Sequence, residues 1–260
     1  MSNLVITNPL AARIRRLTVA RVGLARAGAG LTTVDHLCFQ RDHARARDAV
    51  HLPFDGDALS AALRRFGHRV VRVHSQAADR VQYLKRPDLG RRLDVASVEA
   101  LNKFDLSALN HDVVIIVADG LSSTAMHENT EPFLRCFLPL LRTQNRSVAP
   151  LIVAEQARVG LSDAIGECLN ARAAVMLIGE RPGLSAANSM GIYLTFAPQA
   201  GRVDAERNCI SNVRDGGLSY VEAAHTLNQL LDGAFKLGRS GVTLKVDYVQ
   251  RRDGVLLHND

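Results

Sequence analysis

The sequence lacks several features that would assign it to a common functional class. It has no tryptophan, aromatic residues make up only 5 % of its 260 residues, and it has four widely separated cysteines. With few aromatic side chains there are few surfaces on which bases could stack, and this argues against single-stranded nucleic-acid binding. The absence of a C-x-x-C pair argues against a zinc knuckle and a disulfide scaffold, and favours a reducing compartment. The cysteines are Cys38, Cys136, Cys168 and Cys209.

Long apolar runs are also missing. No segment approaches the roughly 20 apolar residues of a membrane-spanning helix. The opening MSNLVITNPLAARIRR has no apolar stretch of the length found in a signal peptide. We therefore expect a cytoplasmic protein with no membrane partner.

The charge balance leaves one alternative open. The chain carries 32 Lys and Arg against 26 Asp and Glu, for a net charge of +6. Such an excess suggests a basic nucleic-acid-associated regulator. However, acidic residues are interspersed almost everywhere, which is typical of a mixed surface that contacts another protein. We expect no nucleic-acid partner.

The familiar catalytic and nucleotide-binding motifs are absent or defective. There is no G-x-S-x-G turn, no H-E-x-x-H helix and no Ser–His–Asp order. Gly28-x-Gly30 resembles a dinucleotide fingerprint, but Thr33 stands where the third glycine is needed. GAFKLGRS has Arg239 in place of the Walker A lysine, and Gly238 there reads as a helix stop. These defects argue against a stand-alone nucleotide-binding α/β enzyme. We therefore predict no catalytic residue and no metal site in this chain.

The apolar pattern predicts an α/β fold: a Rossmann-like, mostly parallel sheet flanked by helices, with a helical N-terminal region. Residues 1–105 are mainly helical and rich in arginine, with one apolar stretch of strand length at 68–75. Residues 106–260 form the Rossmann-like domain. Its first strand contains VVIIVA, a β-branched run typical of a strand buried on both faces. Asp119-Gly120 follows, a junction that can present backbone N–H groups to an anion. The alternative is an ordinary turn without a ligand, as many such junctions are.

Three further apolar runs, at 148–154, 173–179 and 191–197, each end in a polar or glycine-containing loop. Ligands in α/β sheets bind beyond the carboxyl ends of the strands, so these loops predict a site. The direction of the third strand stays open, because the connection before it is short for a helical crossover. A long loop through Cys209 is expected after it, and GVTLKVDYV at 241–249 predicts an edge strand.

Helix boundaries follow from capping residues. Thr32 predicts the start of a charged helix over 33–50. Thr130 and Pro132 predict a break in the helix after VVIIVA. Ser162 predicts the start of the next helix. The S-x-x-E pattern of Ser219 and Glu222 predicts the start of a helix over 220–236. The spacing of its apolar residues predicts one buried side, made of Val221, Ala224, Leu227, Leu230, Leu231 and Ala234.

Two residues in the polar loops stand out chemically. Glu180 directly follows a strand and can accept hydrogen bonds from a ligand that carries amides. The alternative is a surface ion pair with Arg181. Cys209 lies near Arg207, which would lower the pKa of its thiol. With no histidine nearby in sequence, a contact role is favoured over nucleophilic catalysis.

Several uncommon strings, in order, give the sequence a specific resemblance. They are QARVGLSDAIG, LIGERPGL, DAERNCISN and GGLSYVEAA, preceded by PDLGRRLD and VVIIVADGLSSTA. Together they resemble the small (light) subunit of ethanolamine ammonia-lyase over nearly the whole chain.

The resemblance implies a cofactor, a partner and a reaction. The family's small subunit pairs with a large TIM-barrel subunit in a higher hetero-oligomer with equal numbers of both chains, and adenosylcobalamin lies between the two. The large subunit carries the substrate pocket, where a radical mechanism converts ethanolamine to acetaldehyde and ammonia. By resemblance, the cobalamin contacts of the small subunit fall on Val159, Glu180 and Cys209.

Two further expectations come from the resemblance. The chain has no D-x-H-x-x-G motif, which fits a base-on cofactor that needs no protein histidine on cobalt. The family often acts inside a bacterial microcompartment, with an N-terminal extension implicated in packaging. Here about a dozen residues precede RRLTVARVG, so residence in a microcompartment stays an open alternative to the free cytoplasm.

Overall fold

The computed structural model describes residues 9–18, 21–103, 111–245, 251–252 and 255–256. Its main feature is a six-stranded sheet in the order β3-β5-β4-β6-β7-β8. The strands are β3 (Val70–His74), β4 (Val113–Ala118), β5 (Leu151–Glu155), β6 (Ala173–Gly179), β7 (Met190–Phe196) and β8 (Arg207–Val213). The first four are mutually parallel, whereas β7 pairs antiparallel with both β6 and β8. The predicted α/β, Rossmann-like and mostly parallel sheet is therefore confirmed.

Helices precede and cover this sheet. They are α1 (Pro9–Arg15), α2 (Thr33–His51), α3 (Gly56–Arg64), α4 (Arg80–Lys85), α5 (Val95–Asn102), α6 (Ser123–Thr143), α7 (Leu161–Cys168) and α8 (Tyr220–Leu237). Single turns of 3-10 helix lie at Leu89–Arg91 and Asp204–Glu206. Two short antiparallel strand pairs lie outside the main sheet. They are β1 (Arg26–Ala27) with β2 (Gly30–Leu31), and β9 (Arg251–Arg252) with β10 (Val255–Leu256). Among the described residues, no helix combines the length and the apolar composition that a membrane span requires.

The central strand β4 explains why the sheet forms where it does. All six residues of VVIIVA are buried, and β5 and β6 flank the strand on its two sides. β-branched side chains pack well on a pleated surface that is covered on both faces. The pattern that predicted a doubly buried strand is therefore confirmed.

The two faces of the sheet are covered unequally. On the first face, α3, α6 and α8 pack their apolar sides against alternate strand residues such as Ile115, Val175 and Leu194. On the second face, the shorter helices α5 and α7 pack against residues such as Ile116 and Met176. The division of the chain at residue 105 stays a prediction, and β3, from the first part, is the outer strand beside β5.

The predicted break in α6 is wrong. The helix runs through both Pro132 and Pro139 without ending, and the Thr130 hydroxyl has no hydrogen-bond partner. Each internal proline costs the helix a hydrogen bond, roughly 3 kcal/mol. The fully buried Phe133 and Phe137 on the inner side of α6 offset that cost through packing.

The strand pattern after β6 also differs from the prediction. Residues 207–213, expected as part of a loop, form β8, the outer strand of the sheet. Arg207 points inward and is buried, which hides the apolar alternation that normally identifies a strand. Residues 241–245 form no strand, and 246–249 lie outside the described residues.

Candidate functional site

The carboxyl ends of β5, β4 and β6 meet at one edge of the sheet, where the start of β7 and the end of β8 also lie. Val159 lies in the loop between β5 and α7, and Glu180 directly follows β6. Cys209 is in the middle of β8, opposite Tyr193. The expectation that Cys209 lies in a strand-end loop is therefore wrong.

The Glu180 carboxylate is held by three protein donors. Ser189 Oγ donates to Oε2 at 2.5 Å, and Ser211 Oγ donates to Oε1 at 2.5 Å. The amide of Asn212 donates to Oε2 at 3.3 Å. Among the described ion pairs none joins Glu180 to Arg181, so the surface-pair alternative is wrong. The carboxylate is fixed in direction yet remains partly exposed.

The backbone beneath Glu180 is shaped to receive its side chain. A Cβ atom placed on Gly191 would lie 3.0 Å from Glu180 Oε1 and 3.2 Å from its Cγ. Glycine at this position of β7 therefore lets the carboxylate lie flat over the sheet. The Tyr193 ring flanks the same spot, 3.3 Å from that Cβ position. Tyr193, Ser189 and Ser211 are site residues that the sequence reasoning missed. The alternation of Gly191 and Tyr193 with apolar neighbours is a signal for Tyr193, whereas the sequence carries none for the two serines.

Cys209 has a thiol that is harder to ionise than an ordinary one. Desolvation raises the pKa of Cys209, and the negative charge of Glu180 raises it further, against a hydrogen bond from Tyr193 that lowers it. Desolvation likewise raises the pKa of the Tyr193 hydroxyl. The expected lowering by Arg207 is wrong, because that guanidinium donates to Asp163 at 2.7 and 2.6 Å instead. The thiol is neutral near pH 7, as a contact residue would be.

Val159 occupies a tight turn at the start of α7. Its carbonyl accepts from Ser162 Oγ at 2.8 Å and from the Ser162 amide at 3.1 Å. Ser162 is thus inside the helix, and the helix starts after Gly160 rather than at the predicted Ser162 cap. Within the described part of the chain, the amide of Val159 donates to no acceptor.

The Asp119-Gly120 junction is not an open anion site. The Gly120 amide donates to Asp119 Oδ1 at 2.9 Å, and the Leu121 amide donates to the carbonyl of Gly179 at 2.8 Å. The junction is the ordinary turn of the alternative prediction, since its amides are occupied. Asp119 is instead an acceptor for the loop after β5. Burial raises the pKa of Asp119 to about 6, although hydrogen bonds from backbone amides and the charge of Arg80 lower it.

Val159, Glu180 and Cys209 all lie on the second face of the sheet. Val159 packs on the second-face core, and Glu180 lies over Gly191 beside Tyr193, which faces Cys209 across the strand pair. From β5 to β8 is four strand spacings, about 19 Å. Across β7 and β8 this face has a half-buried Tyr193 and an exposed Cys209. The three residues thus lie on the same side of the sheet.

Two clefts adjoin these residues. One of about 840 Å³ lies between α5, α7 and the 200–202 segment, and Gly160, next to Val159, lines it. The other, of about 250 Å³, lies at the outer edge of β8, lined by Cys209 and Ser211 and, toward the first face, by Ile210 and by Leu230 of α8. The residues of the defective nucleotide motifs are elsewhere: Gly28 is in the turn between β1 and β2, and Gly238 ends α8 with φ +68°. That ending confirms the helix stop predicted there.

Comparison with known proteins identifies the family. The family model of the ethanolamine ammonia-lyase light chain (EutC) matches residues 8–245. The chain is 50 % identical to the ethanolamine ammonia-lyase small subunit of Ralstonia nicotianae over 244 residues, which cover 93 % of this chain and 89 % of that one. It is 51 % identical to that of Azotobacter vinelandii over 244 residues, 93 % of this chain and 90 % of that one. It is 50 % identical to that of Xanthomonas campestris over 235 residues, 90 % and 86 % of the two chains. The chain belongs to the ethanolamine ammonia-lyase light-chain family.

Proposed function

We propose that this chain is the small subunit of an adenosylcobalamin-dependent ethanolamine ammonia-lyase and forms one wall of the cobalamin site. The observation that carries the proposal is the fixed, partly exposed carboxylate of Glu180 on an open sheet face. A corrin is rimmed by amide side chains, and their N–H groups need acceptors at fixed positions. A preoriented carboxylate makes stronger hydrogen bonds to them than a neutral group would.

The neighbouring residues fit the same ligand. The amide of Val159 offers a donor for an amide carbonyl of the corrin rim. Tyr193 and the neutral thiol of Cys209 offer a mainly apolar surface beside Glu180. When bound, adenosylcobalamin supplies the radical chemistry that converts ethanolamine to acetaldehyde and ammonia. This chain binds and orients the cofactor and excludes water from one side of it.

The partner and the location belong to the same proposal. The names of the relatives as small subunits imply a large subunit, which we take to be a TIM barrel present in equal number and carrying the substrate pocket. We assign no catalytic residue and no metal ligand to this chain, and the cofactor keeps its own base. The enzyme acts in the cytoplasm, either free or within a microcompartment.

The test is a cofactor titration of the assembled enzyme. The chain is co-expressed with a large subunit, and adenosylcobalamin binding is followed by its visible absorption. Replacing Glu180 by Gln removes the charge but keeps the shape, so each lost charged hydrogen bond should cost about 1.5–3 kcal/mol. We expect the Kd to rise roughly 10- to 100-fold. Glu131→Gln is the matched control, because that carboxylate pairs with Arg135 on α6, on the first face.

Three results would contradict the proposal in different ways. If the assembled wild-type complex binds no cobalamin, cobalamin is not its cofactor. If the Kd for adenosylcobalamin is unchanged in Glu180→Gln, Glu180 does not bind the cofactor. Deamination of ethanolamine by this chain without any large subunit would show that the catalytic pocket is not in the partner.

A further inference from the structure

We infer that Asp119 and Arg80 are positioning residues that set the conformation of the loop carrying Val159, here called the β5–α7 loop (residues 156–160). The inference rests on the proposed function, because it concerns the part of this chain that would meet the cofactor. Neither residue lies on the open sheet face. Both act from inside the molecule, through the backbone.

Asp119 binds the first two amides of the β5–α7 loop. Its Oδ2 accepts from the Gln156 amide at 3.0 Å, and its Oδ1 accepts from the Ala157 amide at 3.0 Å. The side chain is only 1 % exposed. The carboxylate follows β4, the strand next to β5, so one buried side chain fixes the path of the neighbouring loop.

The fixed path is one that the loop would not adopt freely. Gln156 has φ +52°, in the left-handed region. Residues with a Cβ atom rarely adopt this conformation, because the side chain crowds the following carbonyl. The two hydrogen bonds to Asp119 offset that cost. Without them, an extended or right-handed Gln156 would turn the rest of the loop, including the Val159 amide, in another direction.

Arg80 holds Asp119 and links it to the N-terminal helices. Its Nη1 donates to Asp119 Oδ2 at 3.3 Å and to the Gly120 carbonyl at 2.8 Å. Its Nε donates to the carbonyl of Val50, near the end of α2, at 2.7 Å. A single planar guanidinium thus joins α2, α4 and the end of β4.

Tyr83 of α4 also contacts the loop. Two guanidinium groups pack against its ring, with the carbon of Arg80 at 4.7 Å and that of Arg158 at 4.1 Å from the ring centre. Arg158, the residue before Val159, also donates from Nη2 to the Tyr83 carbonyl at 3.2 Å. The β5–α7 loop is therefore held by Asp119 at its start and by α4 just before Val159.

The experiment uses the complex with the large subunit and follows adenosylcobalamin binding by absorption. Asp119→Asn keeps the shape but turns one acceptor oxygen into a donor, so one loop amide loses its acceptor. We expect about a tenfold rise in Kd, with assembly unchanged. Asp112→Asn is the matched control, because Asp112 precedes the opposite end of β4 and binds Arg172 and Ser147. It should leave Kd unchanged.

A rescue separates positioning from general destabilisation. Glycine adopts φ +52° without the steric cost, so Asp119→Asn combined with Gln156→Gly should recover most of the lost affinity. The control double variant combines Asp119→Asn with Asn145→Gly, because Asn145 has the same φ of 52° in the turn after α6. It should recover none. The melting temperature of each variant is measured alongside the Kd.

Each outcome decides the inference. It is overturned if Asp119→Asn binds cobalamin as well as wild type, or if the two double variants recover affinity equally. If Asp119→Asn does not assemble, Arg80→Lys replaces it in the same comparison with Gln156→Gly, since lysine keeps the charge but cannot join Asp119, Gly120 and Val50 at once. Loss of binding in Glu180→Gln together with normal binding in Asp119→Asn would reject this inference and leave the proposed function intact. A wild-type complex that binds no cobalamin would reject both.

Discussion

At the scale of single residues, the chemistry of Cys209 depends on its two neighbours. Tyr193 lies opposite it on β7, and Glu180 lies beside Tyr193. The hydrogen bond from Tyr193 lowers the pKa of the thiol, whereas the charge of Glu180 raises it, and desolvation raises it most. Both neighbours come from elsewhere in the chain, so the sequence around Cys209 could not indicate the direction of its pKa.

These opposing effects predict opposite results for two variants. Only the thiolate reacts with iodoacetamide, so the Cys209 rate at pH 7.5 should be several-fold below that of a free cysteine peptide. Glu180→Gln should speed the reaction because it removes the charge that disfavours the thiolate. Tyr193→Phe should slow it because it removes the stabilising donor. Mass spectrometry of the peptide that contains Cys209 measures each rate, and equal rates in the two variants would contradict the assigned contacts.

At the scale of elements, capping signals that act within one turn predicted structure well. Thr32 accepts from the Asp35 amide at the start of α2, and Ser219 and Glu222 form a capping box at the start of α8. Five of the six residues predicted for the buried side of α8 are buried, and Val221 is exposed. Signals that compete with packing failed, as Pro132 did inside α6.

Gly238 provides a test of such a local signal. It ends α8 in the left-handed conformation, and a Cβ atom there would meet nothing within 4 Å. Gly238→Ala should therefore lower the free energy of unfolding by roughly 1 kcal/mol through backbone strain alone. Urea denaturation measures the change. Gly183→Ala is the control, since a Cβ there meets only the carbonyl oxygen of Ala186 at 3.7 Å and the backbone is not left-handed. A loss as large in the control would contradict the explanation.

At the scale of the whole molecule, a buried ion pair joins the outer strand to the second-face helix. Arg207 of β8 donates to both oxygens of Asp163 in α7, and also to Thr195 Oγ1 at 2.8 Å and to the carbonyl of Arg202 at 3.1 Å. The side chains of Arg207 and Asp163 are 3 % and 5 % exposed. The pair keeps β8, and with it Cys209, in register beside the rest of the site.

Removing one partner of this pair should be costly. Arg207→Met leaves the Asp163 carboxylate buried without a counterion, so we expect the free energy of unfolding to fall by about 3–5 kcal/mol. The double variant Arg207→Met with Asp163→Leu should lose less, because no charge stays buried. Arg86→Met breaks an exposed pair with Asp88 and should cost at most about 1 kcal/mol. Denaturant titrations measure the free energy of unfolding of the three variants. A double variant less stable than Arg207→Met would contradict the assigned cost of the unpaired buried charge.

The fold class, the family and most helix and strand positions follow from the amino-acid sequence alone. VVIIVA can bury all its β-branched side chains only as a central strand, and the Ser219–Glu222 box fixes a helix start within one turn. These signals are local, because each depends on neighbours within a few residues. The polar character of the loop around Glu180 was visible for the same reason.

The surroundings of those residues, in contrast, come from tertiary structure. It made β7 antiparallel, turned the expected loop at 207–213 into β8, and brought Ser189 and Ser211 onto Glu180. It also aimed Arg207 at Asp163, 44 positions away, rather than at Cys209. Burial, charge and hydrogen bonding at the candidate site come from residues far apart in sequence, and only the packed sheet brings them together.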